Sequence, residues 1–125
     1  MTTILIVDDH ELIRNGLAGA FSASGEFQVV GQAGSVGEAL AAAQKTHPDV
    51  VVTDVRLPDG SGLDIVKRLR TARPDIGLVV LTMYSGDEQL FAAMDAGASA
   101  FVGKDAPSTE VINAAKHAAV SPRTF

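Results

Sequence analysis

Val50-Val51-Val52-Thr53-Asp54 joins three β-branched apolar residues and a threonine in a run that ends on a carboxylate. A run so short, apolar at successive positions rather than alternate ones, reads as a strand buried on both faces, as in a parallel sheet covered by helices. The same grammar recurs on either side. Ile4-Leu5-Ile6-Val7 is followed by Asp8 and Asp9, Leu78-Val79-Val80-Leu81 by Thr82, and Ala100-Phe101-Val102-Gly103 by Lys104. If these runs are parallel strands of one sheet, all five polar side chains emerge along one edge. Such an edge suits a hard cation and a phosphoryl group.

Working outward, strands are expected at Thr3 to Val7, Phe27 to Ala33, Val50 to Thr53, Leu78 to Thr82 and Ser99 to Val102. Between and after them, apolar residues recur at helical spacing. The stripes are Ile13, Leu17, Ala20 and Phe21; Val36, Ala39, Leu40 and Ala43; Ile65, Val66 and Leu69; Leu90, Phe91 and Met94; and Val111, Ile112, Ala115 and Ala119. Punctuation agrees, with Ser35 as a candidate N-cap and Pro107-Ser108 opening the last helix. His47-Pro48-Asp49 and Arg73-Pro74-Asp75 repeat one device, a proline that closes a helix ahead of a strand. Five βα units with right-handed crossovers predict a doubly wound five-stranded parallel sheet with helices on both faces. In that architecture ligands bind outside the carboxyl ends of the strands.

A chain of 125 residues is expected to form one domain with a substantial core and no need of disulfides or a structural metal. Its net charge of −5 argues against this chain itself gripping nucleic acid or an anionic membrane, both of which call for a positive face. The absence of cysteine removes disulfide scaffolds, thiol nucleophiles and cysteine-ligated zinc. No basic leader precedes the first apolar run, and no apolar stretch approaches the ~20 residues that span a bilayer. A cytoplasmic location is therefore expected.

Asp8-Asp9 alone would be ordinary turn chemistry; Asp54 gives the pair its weight. Three carboxylates brought within a few ångströms repel and raise one another's pKa values unless a divalent cation or a lysine compensates. Mg²⁺ suits hard oxygen donors completed by water and phosphate, whereas zinc would want histidine or cysteine, and the three histidines are scattered. Lys104 can offset part of the charge and bond a phosphoryl oxygen, and the Thr82 hydroxyl can donate to another.

Jointly, Ile4-Leu5-Ile6-Val7-Asp8-Asp9, Val52-Thr53-Asp54-Val55-Arg56-Leu57-Pro58, Leu81-Thr82 and Phe101-Val102-Gly103-Lys104 resemble the receiver domain of two-component response regulators over essentially the whole chain. The resemblance implies a flavodoxin-like strand order 2-1-3-4-5. It implies Asp54 as phosphoacceptor, and Asp8, Asp9, Asp54 and the backbone carbonyl of Arg56 as the Mg²⁺ site. Thr82 and Lys104 would contact the phosphoryl group, Phe101 would be the aromatic switch, and the Arg56 and Tyr84 side chains would modulate how long the phosphoryl group persists. The implied donor is a sensor histidine kinase, and the implied chemistry is the domain's own Mg²⁺-dependent phosphorylation and dephosphorylation rather than turnover of a metabolite.

Asp8 to Arg14, Leu81 to Tyr84 and Lys104-Asp105-Ala106 are similar to the subgroup whose receivers precede a helix-turn-helix DNA-binding domain. Residues 1–125 are thus expected to be a receiver alone, either stand-alone or, as that similarity favours, excised from a longer regulator, with any DNA binding in the missing output domain. A homodimer through helices 1 and 5, or through helix 4, strand 5 and helix 5, is the implied self-association. Some positions depart from the family. Gly60 and Ser61 suggest a more flexible loop after Asp54, and Asp105, where many receivers carry proline, puts their usual cis peptide in doubt. Phenylalanine at 101 lacks the hydroxyl of the frequent tyrosine.

Competing readings are weaker. Phosphatases of the aspartyl-phosphate type usually place a second acid two residues after the nucleophile, where this chain has Arg56. A pseudo-receiver would typically lack an acid, the threonine or the lysine, and a flavin site would lean on a glycine-rich loop that is absent after the first strand. His10 reads as a solvated helix-start residue. Lys67, Arg68, Arg70 and Arg73 read as cations facing water at the end of the third helix, complementing its dipole.

Overall fold

The structure is a computed structural model and describes residues 1–83 and 87–122. Its main sheet holds β1 (Thr2–Val7), β2 (Phe27–Ala33), β3 (Val50–Asp54), β4 (Gly77–Thr82) and β5 (Ala100–Gly103), all parallel, in the order β2-β1-β3-β4-β5. Helices α1 (Glu11–Ala23), α2 (Val36–Thr46), α3 (Gly62–Ala72), α4 (Asp87–Ala96) and α5 (Ser108–Val120) alternate with the strands. Between β3 and α3 the chain also forms a short antiparallel ladder, Arg56–Leu57 against Gly60–Ser61. The expected architecture and strand order are those found.

Alternation along each strand divides the interior into two layers. Leu5, Val7, Val51, Leu78 and Val80 face Ala39 and Ala43 of α2, Ile65, Val66 and Leu69 of α3, and Ala93 and Ala96 of α4. Ile4, Ile6, Val50, Val52, Val79 and Leu81 face Ala18 and Phe21 of α1 and Val111, Ala115 and Ala118 of α5. Every residue of β3 and β4 is buried, which is why these runs are apolar at successive positions. Removing each such Ile, Leu or Val side chain from water stabilises the fold by about 1.5–3 kcal/mol. Phe21 and Phe27 meet edge to face, with centroids 5.0 Å apart, closing the layer beneath β2.

Helix ends follow local chemistry. The first four N–H groups of α2 are all satisfied. Those of Val36 and Gly37 donate to the Asp59 carboxylate (2.7 and 3.0 Å), that of Glu38 to Ser35 Oγ (3.2 Å), and that of Ala39 to the Ser35 carbonyl (3.0 Å). The two proline devices end their helices differently: His47 closes α2 in the left-handed conformation (φ 47°), whereas Arg73 closes α3 with extended backbone.

Three of the expected stripes are corrected. On α4, Phe91 and Met94 are 60 % and 44 % exposed, and Ala93 and Ala96 are buried instead. This helix flanks α3, and only its small residues enter the buried layer. On α5 the inward residue is Ala118 rather than Ala119, and on α1 Ile13 is exposed.

Candidate functional site

Strand register brings the polar positions level. Val7 pairs with Thr53, Asp54 with Leu81, and Thr82 with Gly103, so the residues beyond these pairs leave the sheet along one edge. Two backbone bonds extend the edge, Asp8 N–H to the Ala33 carbonyl (3.0 Å) and Lys104 N–H to the Thr82 carbonyl (2.7 Å).

There Asp8, Asp9, His10 and Asp54 each offer a ligand atom, and those atoms lie within 4.8 Å of one another. Asp8 and Asp54 are buried, and the Asp9 side chain is about one-third exposed. The Lys104 ammonium sits between the two buried acids, 2.7 Å from Asp54 Oδ2 and 3.0 Å from Asp8 Oδ2. Burial alone pulls the pKa of this lysine down. Hydrogen bonds and charge from Asp54 and Asp8 outweigh that effect and hold it above the ordinary lysine value.

Three carboxylates against one ammonium leave the pocket negative. Asp8 Oδ2 has the Lys104 ammonium beside it, and Asp8 Oδ1 lies against the His10 N–H and ring. A hard divalent cation fits this donor set, with an oxygen from each acid and room for water in an open cleft of about 160 Å³. Asp9, Asp54, Arg56, Thr82 and Lys104 line the cleft, joined by His10, Met83 and Gln89.

The loop that follows Asp54 is tied at several points. Val55 N–H donates to the Leu81 carbonyl (3.2 Å), and Gly62 N–H returns to the Val55 carbonyl (2.7 Å). Thr53 Oγ1 donates to the Asp54 carbonyl (3.0 Å), and Ser61 Oγ caps α3 by accepting from Leu63 N–H (3.1 Å). Together with the Asp59 cap on α2 and the Arg56–Ser61 pairing, these bonds give the segment a defined path despite Gly60 and Ser61. Gly62 is a close approach: a Cβ there would lie 2.9 Å from both the Asp54 carbonyl carbon and Thr53 Oγ1, and closer still to the Asp54 carbonyl oxygen.

Of the residues singled out in the sequence, Asp8, Asp9, Asp54 and Lys104 come together directly, with Thr82, buried, and Arg56, exposed, on the wall of the same cleft. Phe101 is partly buried, paired with Val80 in register and packed on the α2–α3–α4 layer. Tyr84 lies outside the described residues. No cis peptide occurs among the described residues, as the non-proline Asp105 suggested.

One sequence reading gains detail and another changes. His10 is 62 % exposed, yet its Nδ1 lies 3.2 Å from Asp8 Oδ1 and 3.1 Å from Asp9 Oδ1, facing the acids rather than solvent alone. In the basic run, Arg73 donates to the Pro48 carbonyl (2.7 Å), and Arg70 reaches the Gly97, Pro74, Ile76 and Pro122 carbonyls and Ser99 Oγ. Those two arginines staple loops at the opposite edge of the sheet. Gln89 and Met83 had no sequence signal, because they reach the cleft only through the placement of α4 and the end of β4. Gly62 could have been suspected from the glycine that closes the loop after Asp54.

Residues 4–116 match the family model described as the response regulator receiver domain. The DNA-binding transcriptional activator DevR/DosR of Mycobacterium tuberculosis is 45% identical over 116 residues, 93% of this chain and 54% of that protein. The chain spans about half the length of the curated relatives it matches. A LuxR-family two-component response regulator from Aurantimonas sp. SI85-9A1 superposes with a TM-score of 0.91 at 29% identity, covering 100% of this chain and 90% of that one. A response regulator from Burkholderia pseudomallei, solved with a phosphorylated aspartic acid, a calcium ion and citrate, gives 0.83 at 26% identity over 96% of this chain and 69% of that one.

Proposed function

The chain belongs to the response regulator receiver family, and from that premise we propose that Asp54 is its phosphoacceptor, charged by a phosphohistidine on a sensor histidine kinase. Receivers of this family bind Mg²⁺ at an acidic pocket, and the residues that would hold it here are Asp8, Asp9, Asp54 and the backbone carbonyl of Arg56. Bound there, Mg²⁺ would supply positive charge to the oxygens of the transferring group. The observation that carries the assignment is the Lys104 ammonium bridging Asp54 and Asp8 at the ends of β3 and β1, beside Asp9.

The chain's own groups divide the remaining work. Lys104 holds Asp54 Oδ2, which leaves Oδ1 as the attacking oxygen. Attack forms the Oδ1–phosphorus bond as the bond to the donor nitrogen breaks, and the donor ring, protonated on its other nitrogen, leaves as neutral imidazole with no proton needed from Asp54. Lys104 and the Thr82 hydroxyl then bond the new phosphoryl oxygens, so positioning and electrostatics supply most of the acceleration. Hydrolysis of the acyl phosphate by water resets the domain, with Arg56 at the cleft mouth and Tyr84 setting its rate.

Output follows from the same edge. Thr82 drawn toward the phosphoryl group opens space behind β4, and the Phe101 ring turns into it, repacking the face formed by α4, β5 and α5. The output controlled is transcription through a DNA-binding segment outside residues 1–125, the activity by which DevR/DosR is named. Pairing of two receivers through α1 and α5, or through the α4-β5-α5 face, would set the geometry of that segment. No described helix is long and apolar enough to cross a membrane.

The test is incubation with Mg²⁺ and acetyl phosphate followed by intact mass measurement. The expected result is a single phosphoryl adduct on wild type, absent from Asp54→Asn and dependent on Mg²⁺. An adduct of equal yield on Asp54→Asn would overturn the assignment.

A further inference from the structure

We propose that His10 is a nitrogen ligand of the divalent ion in this pocket and widens its choice from Mg²⁺ toward borderline ions such as Mn²⁺ and Ni²⁺. The inference rests on the acidic cluster being a metal site and concerns which ion that site prefers.

Geometry is the first argument. Adjacent ligands of an octahedral ion with bonds of about 2.1 Å are separated by about 3 Å. His10 Nδ1 stands 3.2 Å from Asp8 Oδ1 and 3.1 Å from Asp9 Oδ1, the spacing of an octahedral edge to each carboxylate. The same spacing serves hydrogen bonds, but Nδ1 can carry only one hydrogen for two anionic acceptors. Without that hydrogen, its lone pair would point at both. A cation between the three atoms satisfies all of them together.

The ring is also held where a ligand is needed. His10 is the N-cap residue of α1, and its N–H donates to Asp8 Oδ1 (2.8 Å), so its Cα is fixed to the first ligand. The side chain makes no capping bond to the helix, and its exposure leaves one ring face open to water. Beside them Asp8 Oδ2, fully buried, is paired with the Lys104 ammonium at 3.0 Å, and three carboxylates against that one ammonium leave negative charge for a cation to offset.

Ion chemistry sets the consequence. Mg²⁺ keeps to oxygen and water and gains little from an imidazole, whereas imidazole suits the divalent transition metals, whose affinity at such sites rises from Mn²⁺ to Ni²⁺. His47 ends α2 and His117 lies on α5, so an imidazole nitrogen signal from this pocket, as distinct from the Lys104 amine, is attributable to His10.

Tag-free protein would be loaded with Mn²⁺ and examined by electron spin echo modulation, with Mg²⁺ and Ni²⁺ affinities measured by calorimetry, for wild type and His10→Ala. The expected result is ¹⁴N modulation in wild type that disappears in the variant. Ni²⁺ affinity should fall on the order of tenfold while Mg²⁺ affinity stays within about twofold. Mn²⁺ bound with oxygen ligands alone, or nitrogen modulation that survives in His10→Ala, would overturn the role of His10 while leaving the pocket a metal site. Failure of wild type to bind either Mg²⁺ or Mn²⁺ would remove the site itself, and this inference with it.

Discussion

Gly62→Ala should separate the positioning of Asp54 from its proposed chemistry, because the substitution adds one methyl group where the loop after β3 presses on the Asp54 backbone. The new Cβ would meet the Asp54 carbonyl carbon and Thr53 Oγ1 at 2.9 Å and penetrate the carbonyl oxygen. Neither obstacle is a flexible side-chain tip, so backbone must move. Overpacking in a filled interior costs about 1–3 kcal/mol. The Gly62 N–H to Val55 carbonyl bond of 2.7 Å is the contact that opens first, adding about 1 kcal/mol. A loss of roughly 2–4 kcal/mol from a domain whose total is about 5–15 kcal/mol leaves a folded protein. Its Asp54 would be displaced by about 1 Å, enough to slow a positioned reaction about a hundredfold. Urea denaturation would read the first effect, and the rate of phosphoryl adduct formation from acetyl phosphate, at a temperature where the variant is fully folded, the second. A stability change below about 0.5 kcal/mol with an unaltered adduct rate would refute the close approach and the positioning argument drawn from it.

Lys104→Met leaves Asp8 and Asp54 buried without their counter-ion and should cost about 3 kcal/mol in metal-free buffer, part of it restored by Mg²⁺, as urea midpoints with and without the ion would show. Because folding raises the Lys104 pKa, its contribution is present at neutral pH, below the unfolded lysine value of about 10.4, and fades as pH rises through the folded one; the gap between the midpoints of wild type and Lys104→Met should therefore persist above neutral pH and close in strong alkali. Asp59→Ala removes the carboxylate that accepts from Val36 and Gly37, and these bonds hold the Asp59 pKa below the ordinary value. Its contribution is present above the unfolded pKa and lost as pH falls through the depressed one, so the variant should melt earlier at neutral pH, with the gap closing in acid; a gap constant with pH would contradict the cap. Arg70→Ala should cost about 2–4 kcal/mol, and Arg70→Lys should recover less than half of it, since an ammonium cannot reach the five acceptors that the guanidinium fork serves together. Full recovery with lysine, measured in urea, would reduce Arg70 to a simple charge.

Legibility in the sequence followed how far each feature depends on neighbours along the chain. Val50 to Asp54 and Leu78 to Thr82 announced themselves because strands buried on both faces must be apolar at successive positions, and a polar residue then marks where the sheet ends. Ser35 was legible for a similar reason, since an N-cap acts over three residues. Asp59 was not, because the N–H groups it accepts lie 22 and 23 residues earlier and meet it only when the sheet brings α2 beside the loop after β3. Arg70 reads as one more cation at a helix end until folding places Gly97, Ser99 and Pro122 around it. For His10 the same limit applies: exposure was foreseeable from its helix-start position, but the approach of its ring to two carboxylates was not.

The fourth helix shows why periodicity alone misassigned a face. Leu90, Phe91 and Met94 form a stripe, yet the residues at the sheet are Ala93 and Ala96, with Leu90 only partly buried. Alanine has almost no side chain to remove from water, whereas α3 inserts Ile65, Val66 and Leu69, each contributing about 1.5–3 kcal/mol. Burial therefore holds α4 much less firmly than α3, even though α4 carries larger apolar residues on its outer side. It is also the helix that follows Thr82 and lends Gln89 to the cleft. A change at the Thr82 edge thus meets less resistance in α4 than in α3, and the exposed Phe91 and Met94 ride on the more loosely held of these two helices.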